Sequence, residues 1–537
     1  MCSQSTCAVS DSSTNVLTNI ERQLRSLLPP NLYAAAWINP CPNTLMKVFE
    51  HLRTLQRILI DYVPRDVYDR PPKPGKPQHL WQDGTLLFTD LAGFTPLLEA
   101  YSSAGMEGAE VLLKLINSYF SEMIEIIGKS SGNLLEFTGD ALLVQFTTGD
   151  HRRDITQAIN TGLRMQHAMR DFQGITTPQG ELSLKMRVGI HSGRFVKADI
   201  GTPQRMAHVL LGRAVTIAKH AEGSGAIGRV ALTETVKHQL KDPLQLAPTN
   251  NHHWLVVDNL SPEELGEYEI TVARRRNSTP LLFDRSPSGL MSEIKSAIAM
   301  VEPLASYMPR SVLQLIVETA SERRIAPAFP TIAVAFVNLI GLPESVDDAL
   351  EHETDALVAC FSDAFSLING VVELKGGILQ KVTYHSIGSE MLIHFGVLNP
   401  DPSDPLRAAE AMSLIRNLVE GITPPTVQGK PIQITCRIGL TYGSVFAAEI
   451  GERRGRREFN VLGDTVNTAA RIMSQAGKNE IWMNQTMHDQ IQSFFHTQAL
   501  GQLALKGKAK PQSVYALKER RHSLPQDDKP KPFPQRG

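Results

Sequence analysis

The chain is poor in the features that tie a protein to an oxidising compartment, a membrane or a polyanion. Among its 537 residues, the five cysteines (Cys2, Cys7, Cys41, Cys360 and Cys436) are odd in number and scattered, without metal-ligand spacing. That argues against a disulfide framework or a cysteine-built metal site, and fits a reducing cytoplasm. Lys plus Arg (54) and Asp plus Glu (55) nearly cancel, so a net charge of −1 gives no electrostatic reason to bind nucleic acid or an anionic membrane. No apolar run approaches the ~18 residues of a membrane span, and Met-Cys-Ser-Gln-Ser-Thr-Cys at the start lacks the basic and apolar regions of a signal peptide. The expectation is a soluble, cytoplasmic protein. Aromatics are sparse at 6%, but 42% hydrophobic residues suffice for packed cores, and the length predicts roughly two to four domains.

From about Asn19 to Val63 the pattern is helical, with Leu45, Val48, Phe49, Leu52, Leu55 and Leu59 forming one stripe. Packing on the following domain is the expected use of that stripe. Pro71, Pro72, Pro74 and Pro77 then break the helix before the first strand. Laid against itself at an offset of about 250 residues, the chain repeats. Tyr62-Val-Pro-Arg65 matches Tyr307-Met-Pro-Arg310, Phe88-Thr-Asp-Leu-Ala-Gly93 matches Phe336-Val-Asn-Leu-Ile-Gly341, and Arg187-Val-Gly-Ile190 matches Arg437-Ile-Gly-Leu440. Two copies of roughly 190 residues mean two globular domains of one fold, unlike a solenoid of short repeats. The expected organisation is an N-terminal helical, partly disordered segment (1–80), a first domain (81–272), a linker with a helix (273–328), a second domain (329–518) and a disordered tail (519–537). Within each copy, long helices separate strands that include an obligatory hairpin, which gives an α+β sandwich.

Two stretches carry the chemistry. In Thr85-Leu-Leu-Phe-Thr-Asp-Leu-Ala-Gly-Phe-Thr95, Asp90 ends a buried strand and Gly93, Phe94 and Thr95 open a helix. In Gly132 to Phe146, Thr138-Gly-Asp140 is the turn of a hairpin. Alone, Asp90 fits a helix cap and Asp140 an ordinary turn residue. Together, two carboxylates on adjacent strand ends suit hard divalent cations, and the backbone N–H groups at the helix start suit phosphate, which points to a nucleotide site.

In order and about 50 residues apart, these segments resemble the FTDxxGFT-like and FxGDAxL-like segments of the class III nucleotidyl cyclases. The duplicated chain is similar to the tandem members of that family, which include animal soluble adenylyl cyclases and bacterial proteins. The resemblance implies two ferredoxin-like (βαββαβ) domains paired head to tail about a pseudo-twofold axis, with a shared cleft. It also implies two Mg²⁺ or Mn²⁺ ions held by Asp90 and Asp140, and conversion of ATP to 3′,5′-cyclic AMP and pyrophosphate, the reaction of an adenylate cyclase.

The copies differ in a complementary way. Copy two has Asn338 and Ser389 where copy one has Asp90 and Asp140. Conversely, Phe459 to Arg471 resembles the family's transition-state helix, whereas copy one has Thr216 and His220 in place of Asn467 and Arg471. One complete and one degenerate site are expected, and no oligomer is needed to complete the first. At i and i+4, Asn467 and Arg471 share a helix face, where an amide suits the ribose and a permanent cation suits charge developing on phosphate. By resemblance, Arg187 contacts the triphosphate and Lys381 with Asn460 faces the purine; Lys506 or Lys508 is a candidate for another phosphate contact, with a solvated surface loop as the alternative. A Lys ammonium donates to adenine N1 and an Asn oxygen accepts from the 6-amino group, whereas guanine reverses both edges. Adenylyl members more often carry Asp or Thr where Asn460 stands. ATP is the expected substrate; a guanylate cyclase and a catalytically silent nucleotide-binding sensor stay open. A regulatory anion or nucleotide is a further possibility at the degenerate site. There Lys219 occupies a basic position of bicarbonate-responsive members, but Glu136 replaces another lysine and would repel an anion.

Overall fold

The computed structural model describes residues 18–102, 105–240, 244–249, 252–258, 260–261, 263–266, 268, 284–322, 324–384, 387–452, 455–505 and 510–521. Cys2, Cys7, the first 17 residues and the Pro-rich tail from 522 lie outside them. Cys41, Cys360 and Cys436 are free thiols.

In the first half the principal elements are β1 (Gln78–Ala92), α2 (Gly105–Lys129), β2 (Asn133–Thr138), β3 (Ala141–Phe146), α3 (His151–Ala168), β4 (Lys185–Thr202), β5 (Arg205–Leu211), α4 (Arg213–Ser224) and β6 (Val230–Thr233). The sheet order is β2-β3-β1-β4-β6, continued by two short strands, with β5 paired to β4. Only the β4/β6 pair is parallel among the described pairings of this sheet. The second half repeats the order with β7 (Thr331–Ile340), α6 (Glu351–Leu374), β8 (Ile378–Tyr384), β9 (Ser389–Phe395), α7 (Asp404–Glu420), β10 (Thr435–Ser444), β11 (Phe446–Gly451), β12 (Arg457–Leu462), α8 (Asp464–Gln475) and β13 (Glu480–Asn484). The α+β duplication expected from the sequence is present.

The unbroken apolar run of β3 follows from burial on both faces. Leu142, Val144 and Phe146 face the core under α2 and α3, while Ala141 and Leu143 face a second cluster with Phe88, Phe195 and Tyr384 of the other half. The halves also exchange arms. Val196, Ala198, Ile200, Val209 and Leu211 from the β4–β5 hairpin pack into the second half's core beside Phe361 and Phe365. Phe446, Ala448, Ile450 and Leu462 from β11 and β12 pack reciprocally into the first half's core.

The predicted apolar stripe belongs to α1 (Pro42–Tyr62), and every member of it is buried. Its partner is the linker helix α5 (Pro287–Ala305), so the N-terminal segment packs on the linker as well as on the second domain's sheet. The repeated Tyr-x-Pro-Arg motif anchors these two helices to opposite halves. Tyr62 donates to Glu449 at 2.5 Å, and Tyr307 donates to Asp199 at 2.8 Å. Arg205 and Arg456, both buried, tie the same helix ends to the sheets: Arg205 donates to the carbonyls of Tyr307 and Gln380, and Arg456 to those of Asp61 and Leu135.

Among the described residues, one helix, α6, is long and apolar enough to cross a membrane by length and composition. It packs in the second core through Leu357, Phe361, Phe365, Ile368 and Val372.

Gly439 sets the depth at which α8 lies on its sheet. A Cβ there would meet the Ala469 carbonyl oxygen at 2.2 Å and Met473 N at 2.5 Å, both backbone atoms of α8. Gly439→Ala is expected to lift that helix and cost about 1–3 kcal/mol, the usual range for overpacking, read as a lower urea midpoint with an unchanged m-value.

Candidate active site

Strand β1 is long because it pairs with β4 over its whole length, and this register sets Asp90 opposite Arg187. The Arg187 guanidinium bonds the Asp90 carboxylate and also lies 3.0 Å from Glu222. As placed, Arg187 therefore neutralises acids beside Asp90, and it is absent from the lining of the cavity described below. Gly93, at φ +94°, lets the chain turn from β1 into the helix Phe94–Ser102, whose first residue is buried and whose second, Thr95, faces the other half. The β2–β3 turn carries Asp140, with Gly139 at φ +71°.

Helix α8 begins after Gly463, at φ +129°, and projects Asn467 and Arg471 from one face. Asn467 Nδ2 donates to Thr95 Oγ1 at 3.2 Å, so the phosphate-loop threonine of one half meets the ribose candidate of the other. The Arg471 carbonyl accepts from Ser474, whereas its guanidinium has no hydrogen-bond or ion-pair partner among the described residues, and the residue lines the cavity.

That cavity, about 290 Å³, opens between the halves. Its lining brings Asp140 from the first half together with Lys381, Asn460, Asn467 and Arg471 from the second. Lys381 lies at a β-bulge in β8, donating to the Phe137 carbonyl and, at 2.9 Å, to Glu458. Asn460 is fully buried; its oxygen accepts from Gln380 at 3.0 Å, and its amide nitrogen has no partner among the described residues. Lys508 and Lys506 lie outside the described residues.

Asp140 lines the cavity and Asp90 does not; the two supply the hard oxygen donors that a divalent cation takes. Burial pushes the Asp140 carboxyl up to about 8, and the neighbouring charges of Asp90 and Glu222 push the same way against Arg187. A carboxyl whose ionisation burial and a neighbouring carboxylate disfavour is relieved by a cation, and Mg²⁺ or Mn²⁺ needs only one or two carboxylates when phosphate oxygens complete its shell. Among the described residues no cluster of three or more His, Cys, Asp or Glu could hold a metal.

The degenerate face is different. Asn338 is completely buried, whereas the Asp90 side chain is 32% exposed. Ser389 is also buried, and Thr216 is closed off by a hydrogen bond with Tyr384. At the start of α4, Asp347 accepts from the Arg213 backbone N–H at 2.6 Å, occupying with a carboxylate the helix terminus an anion would use. Lys219, expected on this face, instead lines the cavity that contains Asp140. Burial raises the Glu136 carboxyl above its usual range, while Thr138 donates to it at 2.7 Å and the Lys381 and Lys219 charges favour its ionised form. With a carboxylate already there, adding bicarbonate at fixed pH is expected to leave nucleotide turnover unchanged; a stimulation that disappears in Lys219→Ala would show otherwise.

Sequence reasoning missed Gln380, His394, Glu458 and Thr383 around the base end. No pattern marks them, because the bulge that brings Gln380 and Lys381 together is a feature of backbone register.

The profile of the adenylate and guanylate cyclase catalytic domain matches residues 78–258 and 326–519. The chain belongs to that family, with two of its domains in tandem. Among curated relatives it is similar to adenylate cyclase type 10 of Oryctolagus cuniculus and of Homo sapiens, each 24% identical over 411 residues, 74% of this chain and 24% of the relative. It thus spans about a quarter of the length of those relatives. A crystal structure of a class III adenylyl cyclase-like ATP-binding protein from Pseudomonas aeruginosa superposes with a TM-score of 0.53 at 13% identity, covering 83% of this chain and 92% of that one. The likeness is one of fold across both domains.

Proposed function

We propose that the protein is an adenylate cyclase with one complete site, converting ATP to 3′,5′-cyclic AMP and pyrophosphate. The observation that carries this reading is the interdomain cavity in which Asp140 of one half faces Lys381, Asn467 and Arg471 of the other. Similarity to relatives named adenylate cyclase type 10 supports ATP as the substrate.

In the proposed reaction the ribose 3′-oxygen bonds the α-phosphorus, the bond to the bridging oxygen of the β-phosphate breaks, and pyrophosphate leaves with that oxygen. The hydroxyl proton passes to solvent. Asp90 and Asp140 would hold Mg²⁺ or Mn²⁺, which when bound supplies a lower hydroxyl pKa and charge neutralisation on the triphosphate. Asn467, steadied by Thr95, orients the ribose. Arg471, whose guanidinium has no partner among the described residues, stabilises charge that grows on the phosphate oxygens as the transition state forms. The backbone at Gly93, Phe94 and Thr95 cradles phosphate at a helix start. No side-chain nucleophile is needed, because positioning and electrostatics are sufficient sources of rate.

Product analysis with ATP or GTP, each with Mg²⁺ or Mn²⁺, tests the reading. Cyclic AMP is expected. Cyclic GMP alone would make it a guanylate cyclase, and bound nucleotide without product would make it a sensor, a function in keeping with the ATP-binding neighbour.

A further inference from the structure

The outward face of α6 is apolar where the same helix of the first half, α2, is charged. Both helices end in one register: Gly132 N donates to the Ile127 carbonyl at 2.9 Å, and Gly377 N to that of Val372 at 2.9 Å. Aligned at that point, Phe120-Ser121 falls on Phe365-Ser366, and buried Met123 and Ile127 fall on buried Ile368 and Val372. The solvent-facing positions differ. On α2 they carry Glu122, Glu125 and Lys129, the last two paired at 2.5 Å. On α6 the matching residues are Leu367, Gly370 and Leu374, with Leu367 52% and Leu374 81% exposed. Half-buried Cys360 and Val371 join them in one seam, since residues three, four and seven apart share a helix face. Gly370 is a separate sign of a neighbour. A Cβ there would meet nothing within 4 Å, so no contact inside the chain calls for glycine, although glycine is a poor helix former. Its bare backbone leaves room for a second helix to approach. The two ends of the seam also differ in charge. Asp363 has no ion-pair partner among the described residues. At the other end Lys375, at 2.7 Å, and Arg520, at 2.9 Å, share the single carboxylate of Glu410, which leaves that cluster one positive charge in excess.

We infer that this face of α6 is an interface between two copies of the chain, packed antiparallel about a twofold axis near Gly370. A twofold interface must be self-complementary, and this seam is. Leu367 of one copy packs beside Val371 of the other, and each Asp363 meets the Lys375–Arg520 cluster of the opposite copy, about 18 Å along the helix from its own. Parallel packing would instead set acid against acid. An anionic lipid surface suits the face less, because Asp363 lies in the seam. No residue of α6 lines the cavity between the halves, so the pairing leaves that cavity open in each copy and is independent of the reaction proposed above. One helix face is smaller than a standard protein interface, which predicts a weak, reversible dimer.

Sedimentation equilibrium of the full chain from about 1 to 200 µM tests the inference. The mass is expected to rise from that of one chain toward that of two, with a Kd of about 10–100 µM. Leu367→Glu combined with Leu374→Lys installs the residues of the first half's solvated helix and is expected to raise that Kd at least ~10-fold, with turnover per chain unchanged. Gly370→Ala adds a Cβ that meets nothing within one chain but obstructs a second backbone; it is expected to raise the Kd about tenfold without lowering the urea midpoint. That variant keeps the test open if the double substitution does not fold. A chain that stays monomeric throughout the range, or a dimer whose Kd is the same in both variants, would overturn the inference. Monomer in solution, with sedimentation on phosphatidylserine vesicles that the double variant loses, would assign the face to lipid and overturn it too.

Discussion

Arg471→Ala is expected to lower kcat by at least ~10²-fold, the scale of removing one preorganised electrostatic contact from a transition state. The expectation follows from what the Arg471 guanidinium does not do: it makes no hydrogen bond or ion pair among the described residues, although the residue lines a cavity shared with Asp140 and Lys381. A guanidinium held unpaired beside a cavity gives little to fold stability and is available to an anion. Nucleotide affinity is expected to change far less than kcat, because the charge it complements grows only as the reaction proceeds. Asp140→Asn is expected to lower kcat by a similar factor, since a neutral amide gives up the charge a divalent cation requires. Steady-state kinetics with tight control of Mg²⁺ or Mn²⁺ checks both, and near-wild-type turnover in either variant would remove the site assignment.

The second large effect concerns how the N-terminal segment is tied to the second domain. Arg457, 4% exposed, lies 2.9 Å from Glu449 and 3.4 Å from Asp61 of α1, and Tyr62 donates to the other oxygen of Glu449. Arg457→Met would remove the buried cation that Glu449 and Asp61 share. A loss of about 3–5 kcal/mol is expected, the range for breaking a buried ion pair from one side, and is read by chemical denaturation. Adding Glu449→Gln to that variant is expected to recover part of the loss, since it removes a carboxylate charge that faced the arginine. A loss below about 1 kcal/mol would mean that the pair behaves as a surface salt bridge.

Much of this architecture was legible in the sequence because it repeats. Asp90 and Asp140 announced themselves by their place beside apolar strands, and Asn467 with Arg471 by helical spacing on one face. The stripe of α1 was equally plain, since Leu45, Leu52, Leu55 and Leu59 need only a 3.6-residue period to be seen. Interactions that depend on register between distant strands were not legible. Asp90 and Arg187 are 97 positions apart, and only the β1/β4 pairing sets them opposite each other, which turns an expected triphosphate contact into a partner of the metal candidate. Lys219 was placed on the degenerate face by its position in α4, but its long side chain reaches the complete cavity. Asn460 was expected to offer its oxygen to the base. Gln380, one residue before Lys381, holds that oxygen instead, through a bulge that no residue pattern signals. The repeated Tyr-x-Pro-Arg motif was visible as a repeat, while its role in pinning α1 and α5 to opposite halves emerged only from the long-range bonds of Tyr62 and Tyr307.

The central claim is that the two halves jointly build one working site. Its most direct test is product formation from ATP by wild type, Asp140→Asn and Ser389→Ala, measured side by side with saturating Mn²⁺. Ser389 stands in the second half where Asp140 stands in the first, buried on the degenerate face. The account predicts cyclic AMP from wild type and Ser389→Ala at equal rates, and none above background from Asp140→Asn. Activity that survives in Asp140→Asn but is lost in Ser389→Ala would place the chemistry on the other face and contradict it.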